Sequence, residues 1–480
     1  MHDCNYLKGV KKLEQLTKNF QNAWELLKSG EYEKVFNLGE EYKSFMDNGK
    51  TERECTTEII KFAKENGFVS IEEFLNNGTV KPGDKIYAEN KGKGVVLFTI
   101  GTEDIEKGMR IVGTHLDAPR LDLKAYPLYE DSGLALLKTH YYGGVKKYQW
   151  VAIPLALHGV IYTKKGEKLS IVIGEDDSDP VLYISDLLPH LAKDQMEKKM
   201  GEGITGEGLN VIIGSIPYRE EKVDEAIKLN VLKLLNDKYE IEEEDFTVAE
   251  IEIVPAGRSR DVGIDRSMIS AHGHDDRVCS FAALKAALEI ENPKYTVVGL
   301  FVDKEEVGSM GNTGMQSMFF EDVVAELLSL QGNNNYLGLR RAMSNSKVLS
   351  GDVTVGFDPN FPDVLDKRNA SFIGKGVTLT KYTGSRGKSG SNDANAEFLA
   401  EIRDIFNKND VVWQIGELGK VDQGGGGTIA YILANKGAEV VDCGTPMLSM
   451  HAPIELISKI DLYMTYKAYK AFFNTIEIGY

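Results

Sequence analysis

Cysteine is scarce in this chain: Cys4, Cys55, Cys279 and Cys443 are the four in 480 residues, far apart and with no CxxC pair. That excludes a disulfide framework and a thiolate zinc site, and it fits a reducing cytoplasm. Long hydrophobic runs are missing as well, and none approaches the roughly 18 residues that crossing a bilayer requires. The opening MHDCNYLKGVKKLEQL alternates charge with apolar residues and lacks the apolar stretch and small-residue cleavage site of a secretory leader. Positive charge is in deficit, with 56 Lys and Arg against 73 Asp and Glu, a formal net charge of −17. A general nucleic-acid or anionic-membrane binder would have to overcome that field first. The glycine run QGGGGT lacks the Lys-Ser/Thr of a phosphate-binding loop and reads as close backbone approach near a site. What is present is ordinary globular composition, 42% hydrophobic and 27% charged. At about 150 residues per domain the length suggests two to four domains.

Three textures follow one another along the chain. The first 65 residues have helical spacing, as in LEQLTKNFQNAWELLKSGEY and TTEIIKFAKENGF. From about residue 93 short apolar runs appear, GVVLFTI and then MRIVG, which suit strands buried on both faces. Between 122 and 263 the pattern turns β-rich: YQWVAIPLALHGVIY, a turn at TKKGE and KLSIVIG form a hairpin, with LNVIIGSIP and FTVAEIEIVPAG beyond. After 264 strands alternate with helices up to the long helix IDLYMTYKAYKAFFNTI. The expected architecture is an α/β fold with a mostly parallel sheet and helices on both faces. It is split into 1–121 and 264–480, with a β-rich domain inserted at 122–263.

In open α/β sheets, ligand sites lie beyond the carboxyl ends of the strands. Here MRIVG leads to His115 and Asp117, and MISAHGH to Asp275-Asp276. VVGLFV leads to Asp303, Glu305 and Glu306, VTVGF to Asp358, and MLSM to His451. Singly, such residues are usually helix caps or solvated turns. Five together form an imidazole–carboxylate set suited to Zn²⁺, Mn²⁺ or Co²⁺, with one carboxylate bridging a pair of ions. Asp117 is close enough to accept the second ring N–H of His115. Of the adjacent Glu305 and Glu306, one can bind metal while the other serves as general base.

At these residues the sequence resembles a known family. GTHLDAPR, HDDRV, DKEEVGS, GFDPN and SMHAPIE, with KTHYYGGVKKYQWV and LLPHLAKD between them, resemble the M18 aminopeptidases, the aspartyl aminopeptidase group. The resemblance implies a zinc-exopeptidase-like catalytic domain and a two-zinc enzyme that removes one residue from a free peptide N-terminus. It makes His115, Asp275, Glu306, Asp358 and His451 metal ligands, with Asp275 bridging. Glu305 becomes the general base, and Asp117 orients His115. It sets His190 at an active site, its own or a neighbouring subunit's, in contact with substrate or with metal. It also implies dimers assembling into a homo-oligomeric dodecamer through the inserted domain, and short peptides as substrates. An acidic first residue would need a cation in its pocket, for which Arg386 and Lys388 are candidates; a neutral or basic preference stays open. Two alternatives carry forward, a dinuclear-metal N-acyl-amino-acid deacylase and a non-catalytic peptide-binding homologue.

Overall fold

The computed structural model describes residues 16–18, 20–219, 223–384 and 386–476. Cys4 and the start of the first helical stretch lie outside them. From residue 16 that stretch is not the helix its spacing suggests, but a single 3-10 turn at Ala23–Leu26. Asn22 accepts the Trp24 N–H, and the Ala23 N–H goes to the Gly374 carbonyl, so the segment is pinned to a distant loop. Regular helix begins with α1 (Glu31–Asn48) and α2 (Glu52–Glu65). The Thr51 and Glu54 side chains form a reciprocal cap at the start of α2.

Nine strands make the largest sheet: β1 (Val69–Ser70), β2 (Lys85–Glu89), β3 (Val95–Thr99), β4 (Met109–His115), β5 (Thr296–Val302), β6 (Lys347–Ser350), β7 (Val377–Thr380), β8 (Trp413–Ile415) and β9 (Glu439–Gly444). Their spatial order is β1-β2-β3-β5-β4-β6-β9-β7-β8. The central strands β5, β4, β6 and β9 run parallel, while β3 against β5 and β7 against β9 are antiparallel. Successive residues of the central strands enter opposite cores. Ile111 of β4, with Val298 and Leu300 of β5, faces one apolar cluster, and Val112, Val297 and Phe301 face the other. Burial on both faces explains why these strands read as unbroken apolar runs. Helices α4 (His274–Leu288) and α5 (Lys459–Phe473) cover one side.

A seven-stranded sheet is built from residues 120–255 and encloses its own apolar cluster around Trp150, Leu155 and Ile253. The hairpin Pro154–Tyr162 and Lys168–Ile173 pairs antiparallel, as the sequence suggests. The charged stretch after it is not a connection alone, because Ala226–Tyr239 forms helix α3, which packs Ile227 and Val231 on the sheet. A five-stranded sheet runs Arg260–Val262, Met268–Ala271, Glu455–Ser458, Pro446–Leu448, Thr354–Val355.

His158 of the seven-stranded sheet is clamped between two carboxylates. Its Nδ1 lies 2.8 Å from Glu54 of α2, and its Nε2 3.1 Å from Glu175. Burial opposes its charge, but the hydrogen bonds to Glu175 and Glu54 prevail and raise its pKa. With the folded value above the usual ~6.5, these pairs stabilise fully below that pH. The contribution is lost as pH rises through the folded value. His158→Gln is therefore expected to cost about 2 kcal/mol near pH 6 and less in alkali. Thermal or urea unfolding across pH measures this, and a pH-independent difference would refute it.

Candidate active site

The carboxyl ends of the central strands lie level, and five segments deliver side chains there. In the parallel register Val302 sits beside His115, and Ser350 beside Gly113. β4 ends on His115, and Leu116 then donates its N–H to the Val302 carbonyl. After β5 the chain turns at Lys304, with φ 66°, into a short 3-10 turn carrying Glu305 and Glu306. After β6 it reaches Asp352 within two residues. Asp275 enters from the start of α4, just past Gly273 in the left-handed conformation. His451 arrives on a turn after Pro446–Leu448 with its own φ at 62°.

Asp275 stands at the centre. His115 Nε2 is 3.3 Å from its Oδ1, and His451 Nε2 is 3.3 Å from its Oδ2. His451 Nε2 is also 3.5 Å from Glu306 Oε1, and His115 Nε2 is 4.0 Å from Glu305 Oε2. Among the described residues three donor groups hold their ligand atoms within 4.8 Å: His115–Asp275–Asp352 and Asp275–Glu306–His451 share Asp275, and the third is His115–Glu305–Glu306. Tetrahedral zinc with bonds of about 2.0–2.1 Å sets its ligand atoms about 3.3 Å apart, close to these separations. Asp275 Oδ1 is buried without a hydrogen-bond partner, as an oxygen reserved for a cation would be. The donor set fits a metal ion.

The outward ring nitrogens are fixed by the backbone. His451 Nδ1 lies 2.9 Å from the Gly144 carbonyl, and His115 Nδ1 3.0 Å from the Asp117 carbonyl. The Asp117 carboxylate stands 3.3 Å from that same nitrogen and accepts the N–H groups of Glu305 and Glu306, each at 3.1 Å. It thus holds the glutamate turn as well as the imidazole. Gly144 is required by close approach, since a Cβ there would meet His451 Nδ1 at 3.1 Å.

Packed carboxylates oppose one another's ionisation. Burial, then the Asp275 and Asp117 charges, push Glu305 up to about 7 against the opposing pull of His115. Burial and the Asp275 charge raise Glu306 and Asp352 well above the carboxylate range. Burial also disfavours the Asp275 carboxylate, but the His115 and His451 imidazoles facing it outweigh that and lower its pKa. Burial disfavours the His451 cation, yet Asp275 and Glu306 carry its pKa up to about 10. A cluster that binds protons this tightly is poised to exchange them for metal.

Of the expected residues, His115, Asp117, Asp275, Glu305, Glu306 and His451 come together. Asp358 does not join them. Its Oδ1 accepts the Asn360 N–H two residues on, and it is absent from these donor groups. The stretch VTVGF belongs to the small five-stranded sheet, so Asp352, at the end of β6, occupies the expected place. His190 is exposed on a 3-10 turn, outside the lining of the cavity at the cluster. Arg386 and Lys388 line a neighbouring depression, where Lys388 pairs with Asp393 at 2.7 Å. His272 and His274 turn away, towards the Pro453 carbonyl and Tyr42.

The cavity measures about 470 Å³ and runs from the cluster past Val353, Thr380, Leu418, Tyr431 and Met450. The glycine run 425–427 forms one wall.

A profile of the family described as aminopeptidase I zinc metalloprotease (M18) matches residues 45–473. The chain belongs to the M18 family. It is a zinc-dependent aminopeptidase, a peptide hydrolase of the metalloprotease kind. The probable M18 family aminopeptidase 1 of Clostridium acetobutylicum is 55% identical over 96% of this chain and 99% of its own. That of Thermotoga maritima is 46% identical over 94% and 98%. Among solved structures, the M18 aminopeptidase of T. maritima superposes with a TM-score of 0.91 at 44% identity, covering 95% of this chain and 100% of its own. Aminopeptidase I of C. acetobutylicum gives 0.90 at 52%, covering 96% and 100%.

Two residues of this M18 aminopeptidase escaped the sequence reading besides Asp352. Glu455 accepts the His451 N–H at 2.6 Å and the Asp275 N–H at 3.1 Å, tying two metal-facing segments together. It stands in SMHAPIE, four residues past His451, and that adjacency was the available signal. Tyr142 donates to Asp117 Oδ2 at 2.9 Å from the far end of KTHYYGG, with no local signal of its role.

Proposed function

We propose that this aminopeptidase works with two zinc ions, held by His115, Asp275 and Asp352 on one side and by Asp275, Glu306 and His451 on the other. The observation that carries this is Asp275, whose two oxygens each face a different imidazole at 3.3 Å. Bound there, the ions supply Lewis-acid polarisation of the peptide carbonyl and an acidified water; Mn²⁺ or Co²⁺ suits the same ligands. Glu305 takes the proton from the attacking water and returns it to the leaving amine. Its near-neutral pKa favours both transfers. Asp117 keeps Glu305 and Glu306 on their turn through two N–H bonds. The carboxylates around the cavity give the free α-amine of a substrate an anionic partner, which selects a chain end.

Among the described residues, no lysine or arginine lines the cavity, whereas Val353, Leu418 and Met450 do. That lining supports a neutral, apolar first residue over an acidic one. We further propose that 1–121 and 264–480 form the catalytic domain and that the inserted 122–263 mediates assembly into a cytoplasmic homo-oligomer. The S. cerevisiae mApe1 structure, of the same fold at 21% identity and a TM-score of 0.73, is a dodecamer.

The test is a panel of free and N-acetylated dipeptides assayed with defined zinc content. Leu- and Met-initiated free dipeptides are expected to be cleaved at least about tenfold faster than Glu-initiated ones, an apolar group being worth 1–3 kcal/mol of discrimination. Cleavage of the acetylated set alone would make the protein a deacylase. Silence with every peptide would make it a binding protein.

A further inference from the structure

We infer that Tyr142 is a positioning residue through which the seven-stranded sheet holds the glutamate turn of the metal site in place. Asp117 is wholly buried, and its two oxygens have four suitors. The Glu305 N–H and His115 Nδ1 face Oδ1, while the Glu306 N–H and the Tyr142 hydroxyl face Oδ2. A carboxylate has about four acceptor positions, so the set is complete. Tyr142 is the one donor of the four that comes from the seven-stranded sheet, at the end of the strand Leu134–Tyr142. The other three belong to the segments that carry the cluster itself.

The hydroxyl is aimed by its own support. Arg120, paired with Tyr142 across the strands, lays its guanidinium 3.9 Å from the centre of the tyrosine ring. That guanidinium is fixed by Asp122 at 2.9 Å, Glu252 at 3.1 Å and Glu52 of α2 at 3.4 Å. A cation over the ring face fixes the ring plane, and with it the direction of the O–H. The next two residues continue towards the cluster: a Cβ added at Gly143 would meet Glu306 at 3.3 Å, and the Gly144 carbonyl faces His451 Nδ1. One strand end therefore touches Asp117, Glu306 and His451 in succession. Without the hydroxyl, Oδ2 keeps a single donor, and the turn carrying Glu305 and Glu306 loses part of what orients it. Groups that orient metal ligands from behind typically change affinity or activity 10–100-fold.

This inference rests on the two-zinc reading given above, and the test separates the two. Tyr142→Phe keeps the ring beneath Arg120 and deletes only the hydroxyl, whereas Tyr142→Leu removes both. Zinc affinity, by competition with a chromophoric chelator, is expected to fall about tenfold in Tyr142→Phe. Its kcat is expected to fall about tenfold with KM within twofold, and its melting temperature to stay at the wild-type value. Tyr142→Leu is expected to lose thermal stability as well. Wild-type zinc affinity in Tyr142→Phe overturns the inference, because a packing role alone is preserved by phenylalanine. If the wild-type protein binds zinc but cleaves no peptide, the aminopeptidase reading fails, and the chelator competition still decides the role of Tyr142.

Discussion

Replacing Glu305 by glutamine is expected to lower kcat about a thousandfold while the protein keeps its full zinc content. A positioned general base contributes about 10²–10⁴ to such reactions. The amide keeps the volume, the burial and the backbone N–H that Asp117 accepts, so the turn survives. What it loses is the ability to take a proton, and burial beside Asp275 has pushed that function up to about 7 in this structure. Zinc content by atomic emission, measured with kcat on one preparation, separates the readings. Loss of metal would show that Glu305 is a ligand, and a kcat within tenfold of wild type would remove it from the proton path.

The pair Asp352→Asn and Asp358→Asn is expected to behave oppositely. Asp352→Asn should weaken binding of one zinc by at least about a hundredfold and abolish turnover, because an amide is a poor ligand for a hard-to-borderline ion. Asp358→Asn should stay within twofold of wild type, since among the described residues its side chain accepts only the Asn360 N–H two residues on. The metal-free proteins give a second signature. Burial and the charges of Asp275 and Glu305 raise the folded pKa of Asp352, so without metal its ionisation destabilises the fold as pH rises. Metal-free Asp352→Asn should therefore melt higher than metal-free wild type at alkaline pH. If Asp358→Asn instead lost the metal, the assignment at the end of β6 would be wrong.

That pair also shows where sequence reasoning succeeds and stops. Strands β4 and β5 are buried on both faces, so MRIVG and VVGLFV stand out as apolar runs, and the residues after them fall at the site. The same rule applied to VTVGF chose a strand of the wrong sheet. KVLS, the strand that reaches the cluster, is four residues long and gives no comparable run. Tyr142 and the Gly144 carbonyl act through contacts between segments far apart in sequence, and no local pattern encodes such a meeting. The helical spacing misled over 20–30 for a related reason: the Gly374 carbonyl, a tertiary partner, takes the Ala23 N–H. The charged stretch at 226–239 hid a helix whose hydrophobic face is only two buried residues wide.

The contact between His451 and Gly144 has a consequence for how the protein is made. It joins residues 307 apart, and the metal-facing groups between them come from segments scattered along that interval. Synthesis adds about 5–20 residues per second, so tens of seconds separate the first of these groups from the last. Until His451 leaves the ribosome, the group Asp275–Glu306–His451 lacks its imidazole. The seven-stranded sheet, whose strand pairings are all internal to 120–255, can pair its strands well before then and so carry Tyr142 and Gly144 on a formed edge. The imidazole that faces both Asp275 and Glu306 is thus the last of these groups to be made.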